Sequence, residues 1–215
     1  MFYFLFNWFA KITGWPIQWL CFRKKIYYED KEAQSRRIKG KAIIISNHLS
    51  VFDYPVAMFV FFGRTLRFQM SELVMNKPVL GLLLRMLGGI YVNRDAHDFS
   101  YITKSQKILE KGGVVGICPE GRLPREGEER PLPFKEGAAY LALTTDTVII
   151  PMATDGSYFD LSKRAHVIIG TPIHPSDVAD PDLSDKENIQ KLTRVMREKI
   201  IALGQTLHDR KETES

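Results

Sequence analysis

Short apolar runs, not long amphipathic stretches, set the hydrophobic pattern of this 215-residue chain. Ala42-Ile43-Ile44-Ile45, Val114-Val115-Gly116-Ile117, Val148-Ile149-Ile150 and Val167-Ile168-Ile169 are β-branched and unalternating. Each reads as a strand buried on both faces. Leu66 to Gln69 and Ile90-Tyr91-Val92 are shorter strand candidates. Helical signals lie between them: Val56 to Phe62, ending at Gly63, and Pro78 to Leu87, with proline in its first turn and Gly88-Gly89 as its stop. Asp98 caps a predicted helix from Phe99 to Glu110, stopped by Gly112-Gly113, and Gly137 to Thr144 forms another. Ser184 and Glu187 make a capping box for a long terminal helix. Its apolar positions Ile189, Leu192, Met196, Ile200, Leu203 and Leu207 keep helical spacing. Repeated strand–helix alternation predicts an α/β fold: a single domain with a largely parallel central sheet flanked by helices.

The first stretch breaks this pattern. Met1 to Ala10 is almost wholly apolar and aromatic, followed by Trp15, Ile17, Trp19, Leu20, Cys21 and Phe22. Lys11, Gly14 and Pro16 interrupt it, so it lacks the unbroken run of about 20 apolar residues that a spanning helix needs. A secretory signal carries its positive charge before the apolar region, whereas here Arg23, Lys24, Lys25, Lys31, Arg36, Arg37, Lys39 and Lys41 follow it. Aromatics followed by basic residues predict a helical segment lying in, or dipping into, a membrane interface, with the cations near anionic headgroups. The alternative is a terminal helix packed on the protein's own core. The expected organisation is a membrane-associated segment, 1–30, and an α/β domain, 31–215, on the cytoplasmic face of the membrane as a peripheral or monotopic protein.

Composition narrows the class. A chain that is 45% hydrophobic and 26% charged can build one sizeable core and is not disordered. Cys21 and Cys118 are its two cysteines, so there is neither a disulfide framework nor Cys/His spacing for zinc, and a reducing compartment follows. The net charge of +5 calls for an anionic partner. Nucleic acid is disfavoured, because the basic run adjoins the aromatic segment and no recognition motif is present.

The candidate chemistry starts at Asn47-His48-Leu49-Ser50-Val51-Phe52-Asp53, directly after the first buried strand. That places His48 at the carboxyl end of a strand, where open α/β sheets put their ligand crevices. Residues five apart point away from each other on a helix, so His48 and Asp53 meet only if the chain turns between them. Such a turn makes His48 a general base oriented by Asp53. The plainer alternative has Asp53 capping a helix that opens at Pro55, with His48 an ordinary loop residue. Arg94 follows the Ile90–Val92 strand, and Arg122 follows Cys118-Pro119-Glu120-Gly121 after the next. Two guanidinium groups on one rim suit a phosphate. A salt bridge between Glu120 and Arg122 is the alternative use of that pair. His97, His166, His174 and His208 have no partner pattern and read as structural or surface residues.

Taken in order, these blocks resemble the glycerolipid acyltransferase family, best known for the lysophosphatidic acid (1-acylglycerol-3-phosphate) acyltransferases. Asn47, His48 and Asp53 match its N-H-x-x-x-x-D block, and Gly88 to Arg94 match its second. Pro119, Glu120, Gly121 and Arg122 match its F-P-E-G-T-R block, and Val148-Ile149-Ile150-Pro151 its fourth. Phe134, Lys135, Gly137 and Ala138 fit a run typical of the family. The resemblance implies an acyltransferase that moves a fatty acyl group from acyl-CoA or acyl-ACP to a lysophospholipid hydroxyl, with no metal or further cofactor. His48 and Asp53 would be catalytic, while Asn47, Arg94, Glu120, Gly121 and Arg122 would bind or shape the phosphate site.

There are departures. Cys118 replaces the usual phenylalanine, the threonine before Arg122 is missing, and Met70-Ser71-Glu72-Leu73 lacks a phosphate-binding lysine, for which Arg67 or Lys77 are nearby substitutes. A thiol nucleophile at Cys118 is disfavoured, since the position reads as the buried end of a strand. Competing functions are a membrane lipid-binding protein without turnover and an acyl thioesterase. The intact His48/Asp53 pair opposes the first, and the paired arginines favour a phosphorylated acceptor over water.

Overall fold

A computed structural model describes residues 2–94, 98–159 and 164–213. Its elements, in order, are α1 (Phe2–Phe22), β1 (Lys25–Tyr28), β2 (Ala42–Ser46), α2 (Asp53–Val60), β3 (Leu66–Ser71), α3 (Glu72–Met75), α4 (Pro78–Met86) and β4 (Ile90–Val92). They continue with α5 (Ser100–Glu110), β5 (Val114–Ile117), α6 (Gly137–Thr145), β6 (Ile149–Thr154), β7 (His166–Ile169), α7 (Pro175–Val178) and α8 (Asp185–Glu212).

The predicted α/β fold is present. Seven strands form one sheet in the order β1-β7-β6-β2-β5-β3-β4. The five strands from β6 to β4 run parallel, and β6 pairs antiparallel with β7. Every residue of β2, β5 and β6 is buried, which is why their sequences are largely apolar and show no polar alternation. Gly116 interrupts β5 for a packing reason: a Cβ there would lie 2.0 Å from the Phe68 ring.

Helices cover both faces. Ile44, Val114, Ile150 and Met152 pack under α2 and Leu84 of α4, whereas Ile43, Ile45, Val115 and Ile149 pack under α6 and α8. The Ser184–Glu187 capping box forms as predicted, and Leu192, Met196, Ile200, Leu203 and Leu207 are the buried stripe of α8. Two findings extend the reading of the sequence. Lys25–Tyr28 is an edge strand pairing parallel with β7, so the sheet reaches back into the N-terminal segment. Part of the basic run also turns inward: Arg36 donates to the Val60 and Phe59 carbonyls, and Lys41 bonds the Thr145 carbonyl.

The helix α1 is amphipathic in an inverted sense. Asn7, Lys11 and Gln18 face the protein and are buried, while Phe9, Ile12, Ile17 and Trp19 are each more than 60% exposed. Lys11 donates to the carbonyls of Phe62 and Arg64 just past the end of α2, at 2.8 and 2.6 Å. The helix packs on α2 and α4, and the outer side of α4 adds exposed Val79, Leu80, Leu82 and Leu83. Among the described residues, no helix is long and apolar enough to cross a membrane.

Candidate active site

Because β2 to β6 point the same way, their carboxyl ends make one rim, and the blocks that carry His48, Arg94 and Glu120 lie on it, whereas Val148-Ile149-Ile150-Pro151 enters β6 inside the sheet. β2 sits between β5 and β6, so the segments leaving these three strands meet around its end. Asn47 continues the ladder after β2 stops. Its side-chain Nδ2 donates to the Thr154 carbonyl at 2.9 Å, and its Oδ1 accepts from the Thr154 N–H at 3.0 Å. The amide thus does the work of a peptide unit and frees residues 48–52 to turn.

Asp53 holds that turn together. Its Oδ2 accepts from the Leu49 N–H at 2.9 Å, the Ser50 N–H at 3.0 Å and His48 Nδ1 at 2.9 Å. Asp53 is the first residue of α2, where the helix dipole favours a carboxylate, yet its bonds go to the preceding turn and not to the helix's own amides. The pair therefore meets through a turn, as the five-residue spacing requires. With Nδ1 donating to Asp53, the lone pair of the ring lies on Nε2 of a partly exposed His48. Glu120 braces the backbone from β5: Oε1 accepts from the His48 N–H and Oε2 from the Leu132 N–H, each at 2.8 Å. Both oxygens of this buried carboxylate are committed to amides.

The rim continues through Gly121, whose φ of +72° suits glycine and whose carbonyl accepts from Arg94 Nη1 at 3.4 Å. Arg94 is aimed by Glu72 at the start of α3, with Nη2–Oε1 at 2.8 Å and Nε at 3.2 Å from the same oxygen. These bonds hold the Glu72 carboxyl below its ordinary range. Arg122 pairs with Glu128, at 2.6 and 2.7 Å, and not with Glu120. The Lys135 side chain lies over Gly121: a Cβ there would be 2.8 Å from its Cε and 3.1 Å from its Nζ. Among the described residues no carboxylate pairs with Lys135.

His48, Asp53 and Cys118 bring a nitrogen, an oxygen and a sulfur within 4.8 Å of one another. These donor types occur in zinc sites, but the Asp53 oxygens already hold four donors. Burial, then the charges of Asp53 and Glu120, push the Cys118 thiol well up. The same surroundings oppose a thiolate nucleophile.

Several partners were invisible in the sequence. Glu72 stands 22 residues before the arginine it orients. Tyr158, in the turn after β6, donates to Asp53 Oδ1 at 2.8 Å. Of the unassigned histidines, His166 bonds Asp155 at 3.1 Å, His208 pairs with Glu212 on the exposed side of α8, His174 precedes α7, and His97 lies outside the described residues. An apolar lip adjoins the dyad: Phe159 packs edge-on against Phe52 at 4.5 Å and against Phe22 at 5.3 Å, joining the end of α1 to the His48 turn.

The site joins a histidine–carboxylate pair to strand-end cations on the rim of a mostly parallel α/β sheet. The comparisons give its family. The family profile described as Acyltransferase matches residues 25–155, and the chain belongs to that family. A 1-acyl-sn-glycerol-3-phosphate acyltransferase of Bacillus subtilis is 33% identical over 141 residues, 64% of this chain and 67% of that protein. One from Borreliella burgdorferi is 27% identical over 176 residues, 79% of this chain and 68% of that protein. The crystal structure of the LPA acyltransferase PlsC from Thermotoga maritima shares the fold, with a TM-score of 0.63 at 19% identity, covering 97% of this chain and 79% of that one.

Proposed function

We propose that this chain transfers a fatty acyl group from a thioester donor to the free hydroxyl of a lysophospholipid, 1-acylglycerol 3-phosphate, giving phosphatidic acid. The observation that carries this reading is the 2.9 Å His48–Asp53 bond on the strand-end rim of an acyltransferase-family chain. His48 Nε2 takes the acceptor hydroxyl proton as the oxygen attacks the thioester carbonyl. The C–O bond forms, the tetrahedral intermediate collapses, the C–S bond breaks, and the imidazolium returns its proton to the departing thiolate. Asp53 keeps the ring in the reactive tautomer and stabilises its charge. The donor is acyl-CoA or acyl-ACP, and the reaction needs no metal or further cofactor.

Arg94, Arg122 and Lys135 would hold the acceptor phosphate. Glu72 fixes the Arg94 plane, and Lys135 offers a cation beside Gly121 where Met70 replaces the expected lysine. This cluster favours acyl transfer to a phosphorylated acceptor over hydrolysis. The exposed apolar sides of α1 and α4 support a peripheral or monotopic placement on the cytoplasmic face of the membrane. The exposed lip of Phe52 and Phe159, backed by buried Phe22, lets a lysolipid reach His48 with its chain still in the bilayer.

Mass spectrometry of products tests the substrate assignment, using purified protein in anionic vesicles with acyl-CoA or acyl-ACP and a panel of lysolipids. Phosphatidic acid from lysophosphatidic acid is the expected product. Transfer to another lysolipid would move the acceptor, free fatty acid alone would mean a thioesterase, and no turnover despite vesicle binding would mean a lipid-binding protein.

A further inference from the structure

None of the motif blocks includes the turn after β6, yet it reaches into the dyad. Tyr158 is 105 residues from Asp53 in sequence, and its hydroxyl lies 2.8 Å from Asp53 Oδ1 and 2.7 Å from Thr154 Oγ1. The two carboxylate oxygens are therefore divided. Oδ2 serves His48 and the turn amides, and Oδ1 serves Tyr158. Burial, then the Asp53 charge, push the Tyr158 hydroxyl up, so it stays protonated and donates to the carboxylate. Thr154 then donates to the tyrosine oxygen, making a directed chain from Thr154 through Tyr158 and Asp53 to His48. The ring is fixed as well as the hydroxyl, packing edge-on against Phe22 at 5.7 Å, while the Phe159 N–H donates to the Cys21 carbonyl at 3.1 Å.

We propose that Tyr158 is a positioning residue for acyl transfer, whose hydroxyl fixes the Asp53 carboxylate in the orientation that holds the His48 proton on Nδ1 and moderates the carboxylate's grip on the imidazolium. This rests on His48 being the general base. A carboxylate that loses one of its donors becomes more basic. Asp53 without Tyr158 therefore holds protonated His48 more tightly, and more of the enzyme has its base blocked at low pH. The other ionisable groups around the pair are Cys118 and Glu120 at the end of β5 and Asp155 in the Tyr158 turn. Glu120 is committed to two amides and Asp155 to His166 and Lys211. Neither carboxylate can donate to Oδ1, and the Cys118 thiol nearby is only a weak donor.

Tyr158→Phe keeps the ring and removes the hydroxyl. In vesicles, with an acyl thioester and lysophosphatidic acid, kcat should fall about 10- to 100-fold while both KM values stay within about twofold. The acid limb of kcat/KM should move up by roughly half a pH unit or more. Unchanged kcat with an unmoved acid limb overturns the proposal, as does a loss of kcat without that movement, which would mark a merely structural role. If Tyr158→Phe does not fold, Thr154→Val, which removes the donor to the Tyr158 oxygen together with the acceptor of the Gly156 N–H, takes over the test. It should move the acid limb the same way by less, and no movement overturns the proposal. His48→Ala separates the two layers: activity there removes the general-base reading itself, whereas an inactive His48→Ala beside a wild-type-like Tyr158→Phe removes only the role of Tyr158.

Discussion

Lys11 provides a test of the inverted helix that does not depend on turnover. Its side chain lies on the inner side of α1, 1% exposed, with its ammonium on two carbonyls beyond α2. Burial lowers this amine from 10.5 to about 8. Holding it there costs the folded state roughly 3 kcal/mol whenever the amine is charged in both states. The sign follows from proton counting. Between pH 8 and 10.5 the unfolded chain binds more protons than the folded one, so stability rises with pH through this window and the penalty is fully present below it. From pH 8 to pH 10 the gain from Lys11 is about 2 kcal/mol. Lys24, also lowered to about 8 by burial and then by Arg36, adds a second rise of the same sign. The assay is urea unfolding of detergent-solubilised protein at several pH values in this range, comparing wild type with Lys11→Met. The variant should lose about 2 kcal/mol of the rise, whatever its absolute stability after leaving two carbonyls unpaired. Parallel curves for the two proteins would refute a buried, charged Lys11 and with it the orientation of α1.

Lys135→Met should raise KM for lysophosphatidic acid about tenfold and leave KM for the thioester unchanged, read from initial rates with each substrate varied. Glu120→Gln replaces one of two acceptors by a donor facing a buried amide, and should cost roughly 1–3 kcal/mol in denaturant unfolding together with most of the activity. Trp19→Glu combined with Leu82→Glu puts two charges on the outward apolar faces of α1 and α4, and should cut co-sedimentation with anionic vesicles about tenfold or more while leaving the thermal unfolding of the detergent-solubilised protein near wild type.

Much of the fold is legible because burial on both faces leaves strands no polar alternation. Ala42–Ile45, Val114–Ile117 and Val148–Ile150 declare themselves as runs, though the last strand continues through Pro151 to Thr154, and Ser184–Glu187 declares the start of α8. Lys25–Tyr28 is harder to see, since Lys-Ile-Tyr-Tyr merges with the aromatic and basic segment around it and is a short edge strand paired with β7. The dyad is legible from one constraint: at a spacing of five residues, a turn alone brings His48 to Asp53. Its surroundings are not, because Glu72, Glu128 and Tyr158 acquire their roles through tertiary contacts. Glu120 illustrates the limit. Its place beside Arg122 in sequence suggests an ion pair or a substrate contact, whereas its two oxygens tie the His48 and Leu132 backbones together. In α1, composition marks an interfacial segment, but the burial of Asn7, Lys11 and Gln18 shows which side faces the protein.

Single-turnover kinetics decide whether His48 is the base for acyl transfer. Wild type and His48→Ala would be compared in the same anionic vesicles, with enzyme in excess over a limiting acyl thioester, saturating lysophosphatidic acid, and phosphatidic acid followed over time. With His48 as the base, the rate for His48→Ala should be at least about a thousandfold lower, with vesicle binding and thermal unfolding unchanged. Phosphatidic acid formed by His48→Ala at close to the wild-type rate would contradict it.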